Sequence, residues 1–335
     1  MDRLTPIPTV SIIVPVYNGS GTITACLKSL LQQDYPADHY EILVVENGST
    51  DNTSEVVSQF SSVRLLHSPQ RGPGPARNYG IARSQADVIA FTDADCIAAP
   101  NWLSELIRGY ANPDIGGVGG KIEAYDHPDL TLIERFSSEH SPLINFLSGE
   151  SEFLPHLYTA NASFMRELLN QVGGFNPRLM TAEDVDLSWR IQLNTTARLA
   201  YCDKAIIHHH HRATLKGLAR QYRQYGFGEI LLDSIYNKYP QYPRAGTFQV
   251  SRMLNQLVAL PRYFASMILR RMRYVLGRAD QYQLLEPRLC LMIESKNLIG
   301  KVEGLIATRW MTDAEHAQGI RGEDLIKRYF PKSKE

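Results

Sequence analysis

The chain has 335 residues, 44% hydrophobic and 21% charged, with Lys plus Arg equal to Asp plus Glu at 35 each. That balance gives no reason to expect a nucleic-acid partner, and the length suits one large α/β domain with an appendage, or two domains. Cys26, Cys96, Cys202 and Cys290 form no CxxC pair, so zinc and dithiol redox readings have no support. Reduced thiols and the lack of a signal-peptide pattern after Met1 predict a cytoplasmic location. No stretch reaches about 18 uncharged apolar residues, so no spanning helix is expected.

In chain order, Val10 to Val16 reads as a buried parallel strand, ended by Tyr17-Asn18-Gly19. A helix is predicted over Thr22 to Gln33 and a second strand over Tyr40 to Val45. Asn47 to Asp51 is a turn, with Asp51 or Asn52 placed to cap the next helix. Val63 to His67 is a third strand. After Gly72-Pro73-Gly74-Pro75, Ala76 to Ser84 is helical, and Asp87 to Thr92 is a fourth strand. Strands alternating with helices of about 10–15 residues predict a doubly wound, mostly parallel sheet. Ligands of such sheets collect beyond the carboxyl ends of the strands. That rim holds Pro15-Val16-Tyr17-Asn18, Glu46-Asn47-Gly48-Ser49 and Asp93-Ala94-Asp95.

Further on, Ile115 to Ala124 and Leu157 to Phe164 read as strands, Glu183 to Leu193 as a helix, and Ala197 to Ile207 as one or two strands. From about Ala213 the pattern is helical throughout. We place a boundary there, giving a catalytic α/β domain at 1–212 and a helical region at 213–335.

Two carboxylates two residues apart at a strand exit make a compact hard-oxygen site, suited to a divalent cation that holds phosphates. An Asp-x-Asp alone is weak, and a second stands at Asp184-Val185-Asp186. The order of motifs is more specific. Val-Pro-Val-Tyr-Asn (14–18), Val-Glu-Asn-Gly-Ser-Thr-Asp (45–51), Gly-Pro-Ala-Arg-Asn-Tyr-Gly (74–80), Asp-Ala-Asp (93–95), Gly-Gly-Phe (173–175) and Glu-Asp-Val-Asp-Leu-Ser-Trp-Arg (183–190) follow one another. In this order they resemble the family 2 glycosyltransferases of GT-A fold, over roughly residues 9 to 225. The resemblance implies sugar transfer with inversion from a nucleotide sugar, UDP above all, using Mn or Mg. It departs from the family at Glu46, where the second-strand motif usually opens with Asp.

By that resemblance Glu46 and Asn47 meet the base and ribose, or else only close a turn. Pro15, Val16, Tyr17 and Asn18 line the nucleotide, or form a rigid strand exit. Arg77 and Asn78 reach base and phosphate; the plainer alternative is a solvent arginine in a first helical turn. Asp95 is expected to bind the metal, with Asp93 at the ribose or the metal's waters and Ala94 among the nucleotide-sugar contacts. The plainer alternative is a cap ahead of Asn101-Trp102. The family's catalytic base falls on Asp184, which could otherwise merely favour a helix N-terminus. Glu183 and Asp186 then support it, and Trp189 and Arg190 pack and pair. In related enzymes a histidine near His208 to His211 completes the metal shell or contacts the diphosphate, and strand alternation puts His209 and His211 on one face; the plainer alternative is a half-exposed polar strand end. Gly120 (with Gly119) is placed against the donor sugar and Asn161 on the acceptor side. A catalytically silent nucleotide-sugar scaffold is the rival reading, but such a copy would be expected to have lost Asp95 or Asp184.

Gln221 to Gly226 matches the Gln-x-x-Arg-Trp element of processive synthases only in part, so a processive enzyme is not expected. Between 251 and 278 there are arginines at 252, 262, 270, 271, 273 and 278 and no acid. Such a segment lies on an anionic leaflet, docks its apolar face on the rest of the chain, or forms a homodimer contact. A glycan or lipid-linked acceptor at the inner face of the membrane fits the first of these.

Overall fold

A computed structural model describes residues 7–141, 153–242 and 245–309, with no side chains described for 245–249. It divides into two compact units, Met1–Asp126 with Pro142–His210, and His127–Ser141 with His211–Glu335.

The first unit is built on an eight-stranded sheet. Its strands are β1 (Val10–Val16), β2 (Tyr40–Glu46), β3 (Arg64–His67), β4 (Val88–Thr92), β5 (Cys96–Ala98), β6 (Ile115–Ala124), β7 (Asn161–Met165) and β8 (Arg198–His209), in the order β3-β2-β1-β4-β7-β6-β8-β5. The half β3-β2-β1-β4 is parallel. β7 then runs antiparallel to both β4 and β6, so the complete sheet is mixed. Period-2 alternation divides each central strand between two cores. Ile12, Val14, Ile42, Val44, Val88 and Ala90 belong to one. Ile13, Leu43, Val45, Ile89 and Phe91 belong to the other. Helix α1 (Ile23–Leu30) covers the first face through Ile23, Cys26, Leu27 and Leu30, an i, i+3, i+4, i+7 stripe. Helices α3 (Pro73–Ile81) and α7 (Glu183–Asn194) cover the second through Ala76, Ile81, Leu187 and Ile191. Three short helices complete the layers: α2 (Thr53–Ser58) against β2 and β3, α4 (Trp102–Arg108) against β8 and β6, and α6 (Arg166–Gln171) against β7.

Several boundaries differ from expectation for local reasons. Helix α3 begins at Pro73 rather than Ala76, because a proline in the first turn gives up an N–H that has no helical partner anyway. Residues 157–160 turn before β7, with the Asn161 N–H donating to Tyr158 O at 3.0 Å. Strand β8 takes the single-strand form of the expected one or two but runs on to His209, and it absorbs a register shift against β6 between Gly120 and Lys121.

The second unit contains α5 (Leu132–Glu139), α8 (Leu215–Tyr236), α9 (Ala245–Val275) and α10 (Gln281–Arg309). A capping box between Thr131 and Glu134 starts α5. Phe136, Leu218, Tyr282, Leu289 and Ile293 form its core. Helices α8 and α10 approach backbone to backbone. A Cβ on Gly226 would sit 2.0 Å from Asn297 O, and one on Gly300 would sit 1.9 Å from Arg223 O. Only glycine allows that contact. No sequence signal placed 127–141 with the later helices. No helix among the described residues is long and apolar enough to cross a membrane.

Candidate active site

Asp93-Ala94-Asp95 leaves the end of β4 and enters β5, which pairs antiparallel with the end of β8 so that Cys96 faces His209. The backbone locks the corner: the Cys96 N–H donates to Asp93 O at 3.0 Å, and the His210 N–H to Asp95 O at 2.8 Å. His209, 6% exposed at its side chain, then places Nε2 3.6 Å from Asp95 Oδ1. Cys96 lies beside them, and one donor atom from each of Asp95, Cys96 and His209 falls within 4.8 Å of the others. Burial, with the charges of Asp95 and Asp93, pushes the Cys96 thiol well above its ordinary value. Asp95 and His209 offer a carboxylate and an imidazole, donors that suit a divalent cation. Within the first unit His209 is brought to Asp95, and His211 lies at the start of the second. His208 lies 3.7 Å from Glu123, and the His210 ring packs on Tyr125 at 4.1 Å. Cys96 was missed from the sequence, although it directly follows the Asp-x-Asp.

A second group of charges radiates from Arg77, only 3% exposed on α3. Its Nη1 donates to Glu183 Oε1 at 2.7 Å and its Nη2 to Asp93 Oδ1 at 2.8 Å. Phe175 of the Gly-Gly-Phe motif lies under the guanidinium, 5.6 Å from ring centroid to Cζ. Burial opposes the positive charge, but Asp93, Glu183 and Asp184 more than compensate. This arrangement differs from the arm expected to reach base and phosphate, since both terminal nitrogens already serve acidic partners. Asn78 is likewise occupied: it donates to Phe175 O at 2.7 Å and accepts from Phe175 N at 2.8 Å.

Asp184 stands in the first turn of α7, whose N-cap, Ala182, has φ +60°. A non-glycine residue in this left-handed region carries strain, of a kind that gathers at functional sites. Asp184 Oδ1 accepts from Val185 N at 2.9 Å and Oδ2 from Thr159 N at 3.4 Å. Burial raises its carboxyl above the ordinary range, with Arg77 pulling the other way. Glu183 is also raised, first by burial and then by the charge of Asp184, against the pull of Arg77. Arg190 donates to Asp186 at 2.8 Å and to the carbonyls of Val172 and Gly174, and Trp189 Nε1 donates to Leu154 O at 2.9 Å. The last two side chains pack and pair, as the sequence suggested.

The rim at β1 and β2 is a knot of turn contacts. Asn18, at φ +50°, accepts from Thr50 N at 2.8 Å, and its own N–H donates to Ser49 Oγ at 2.9 Å. Glu46 accepts from Ser49 N and lies 3.3 Å from His67 Nδ1. Burial raises the Glu46 pKa, but hydrogen bonds from Ser49, Gly48 and His67 outweigh it, and the net shift is downward. Asn47 ties down the next loop, accepting from Gly72 N at 2.7 Å and donating to Gln70 O at 2.9 Å. Asp51 accepts from Thr53 N at 3.2 Å and Ser20 N at 3.2 Å, an arrangement the sequence reached only as a possible cap. Glu46 and Asn47 thus close turns, as one of the two readings had it. Pro15 and Val16 lie inside the strand, Ala94 is buried, and Tyr17 is 55% exposed.

Two residues assigned to the sugar side do something else. Asn161 is completely buried: it accepts from Trp102 Nε1 at 2.8 Å and donates to Lys121 O at 2.8 Å and Ala205 O at 2.9 Å. It joins α4, β6, β7 and β8 and offers no open face to an acceptor. A Cβ on Gly120 would lie 2.2 Å from Ala205 O and 2.5 Å from Asn161 Nδ2, so glycine is required there by strand packing.

Comparison with known proteins finds similar chains. Residues 11–173 match the model of glycosyl transferase family 2. Glycosyltransferase AglE of Haloferax volcanii is 34% identical over 186 residues, 53% of this chain and 60% of that protein. The pre-mycofactocin glycosyltransferase of Mycobacterium tuberculosis is 28% identical over 225 residues, 65% of this chain and 46% of that protein. The chain therefore spans about half the length of these curated relatives. A solved mannosyltransferase, PcManGT of Pyrobaculum calidifontis, in complex with GDP-Man and Mn2+, superposes with a TM-score of 0.62 at 21% identity, over 91% of this chain and 89% of that one. That likeness extends the fold assignment across both halves of the sequence. Residues 11–173 thus resemble glycosyl transferase family 2, and the fold is a GT-A-type mixed sheet with C-terminal helices.

Proposed function

We propose that the chain transfers a sugar, with inversion, from a nucleoside diphosphate sugar (UDP) to a hydroxyl of a cell-envelope glycan or lipid-linked acceptor at the inner face of a membrane. The observation that carries this reading is the joining, within one unit, of the Asp95–His209 pair to the chain Asp93–Arg77–Glu183 beside Asp184. We assign donor binding and chemistry to residues 1–212 and treat 213–335 as a separate helical region.

In this mechanism Asp184 takes the proton of the acceptor hydroxyl. The acceptor oxygen forms its bond to the anomeric carbon from the face opposite the diphosphate. The bond from that carbon to the diphosphate oxygen breaks, and its electron pair leaves with the nucleotide. Burial raises the Asp184 pKa, which makes the ionised carboxylate a stronger base than a solvent-exposed aspartate. Arg77 keeps it ionised by its nearby positive charge and fixes Asp93 and Glu183 around it. A divalent cation, Mn or Mg, when bound by Asp95 and His209, supplies a Lewis acid for the charge of the diphosphate. The mannosyltransferase of like fold, in complex with GDP-Man and Mn2+, is consistent with this chemistry.

A thermal-shift screen of nucleotide sugars with and without Mn tests the donor, because a ligand that binds only the folded chain raises its melting temperature. A UDP-sugar is expected to do so only with the metal. No shift with any nucleoside diphosphate sugar and Mn would sink the proposal.

A further inference from the structure

Helix α9 turns its apolar side outward. Leu254, Leu257, Phe264, Ile268, Met272 and Val275 are each 47–78% exposed. Their spacings of three, four and seven residues put them on one face at about 100° per residue. Arg262 and Arg273, both exposed, run along one edge of this face, and exposed Arg271 along the other. The opposite side meets α10 through polar contacts: Gln256 donates to Glu294 and Asn297 at 3.0 Å each, and Arg270 to Glu286 at 2.7 Å. An ordinary surface helix buries its apolar stripe and shows water its polar side. In α9 a broad apolar face is left to solvent.

We propose that this face of α9 lies in the headgroup region of an anionic lipid leaflet. Arginine edges choose this occupant. From 245 to 279 the sequence has no Asp or Glu. A second copy meeting the same face would set arginine rows against each other with no acid of α9 to neutralise them. A leaflet bearing phosphate headgroups supplies that negative charge, while its acyl boundary receives the apolar side chains to a depth of about 5–10 Å. No helix of the described residues can span, so the contact is parallel to the surface. This surface rests on the membrane-side reading given above and adds to it the attaching element and the lipid class.

Vesicle flotation of the full chain tests the contact, with phosphatidylcholine alone or with about one third phosphatidylglycerol. The chain should float with anionic vesicles and be released as salt rises. The double variant Arg262→Glu, Arg273→Glu should lower partitioning by about tenfold or more. Ile268→Asp with Met272→Asp should abolish it. Each variant should keep the wild-type thermal shift with nucleotide sugar and Mn, which separates loss of lipid contact from failure of the donor reading. The proposal is overturned if the wild type stays with the aqueous fraction, or if both variants float like wild type. It is also overturned if the chain ignores vesicles but sediments as a dimer that Ile268→Asp dissociates.

Discussion

The guanidinium of Arg77 donates to the carboxylate of Glu183 at 2.7 Å across 106 positions of sequence, with both side chains buried. Replacing one member of a buried pair strands the other charge, a cost of about 3–5 kcal/mol. Arg77→Met should therefore lower the denaturant midpoint strongly. In the fraction that folds, the pull of Arg77 on Asp184 is gone, so the acidic limb of the pH–rate profile should move to higher pH. A folded Arg77→Met variant whose limb stays put would separate the arginine from the base.

Asp184→Asn keeps the shape of the carboxylate and removes its basicity. Donor binding should persist, while transfer falls by about 10²–10⁴. Titration of donor in the presence of Mn, beside single-turnover transfer, distinguishes the two. Turnover near wild type would reassign the base.

Asp95→Ala and His209→Ala should each diminish the Mn-dependent thermal shift given by the nucleotide sugar, Asp95→Ala abolishing it. Cys96→Ser should leave it within a few degrees of wild type, because the carboxylate–imidazole assignment gives sulfur no part in holding the metal. A Cys96→Ser variant that loses metal would identify sulfur as a ligand and overturn the carboxylate–imidazole assignment.

Glu183 has a folded pKa raised above its unfolded value, so the folded chain holds that proton more tightly. The unfolded state then binds fewer protons, and stability falls as pH rises from the ordinary glutamate value toward the raised one. Glu183→Gln cannot titrate and should flatten this part of the profile. Urea midpoints measured from mildly acidic to neutral pH, wild type beside variant, give the slope. Equal slopes would mean that Glu183 is ionised throughout.

Asn161→Ala removes the acceptor of Trp102 Nε1 and the donors to Lys121 O and Ala205 O. Each buried partner left unsatisfied costs about 1–3 kcal/mol. Loss of stability should dominate, with KM for the acceptor unchanged in whatever protein folds. A raised acceptor KM at unchanged stability would return Asn161 to the acceptor side.

The parallel half of the sheet was legible because β1, β2 and β4 are near-continuous apolar runs bounded by turn residues, a pattern that few other structures can satisfy. The rim followed from it, since the carboxyl ends of those strands share one edge. What each polar residue does there depended on partners far away in sequence. Arg77 read as an arm to base and phosphate, or else as a solvent arginine, because Glu183 is invisible at that distance. Asn78 meets Phe175, 97 residues on, and Asn161 meets Ala205, 44 residues on. Local pattern gives the side chain and its element, but it does not give the contact that occupies it. The start of α3 shows a smaller version of this: Pro73 and Pro75 look like breakers until a helix is known to begin on them.

The pairing of Cys96 with His209 holds one more consequence. Strand β5 is three residues long and, among the described strands, pairs with β8 at the edge of the sheet. Side chains alternate between faces with a period of two, so a slip of one residue would turn His209 away and bring a neighbouring histidine to Asp95. Four consecutive histidines make such a slip chemically quiet, since an imidazole would still arrive, but from a strand face with different surroundings. The choice among them is therefore made by strand pairing rather than by composition. A mutation that loosens Cys96–Ala98 would change which imidazole meets Asp95 without touching either residue.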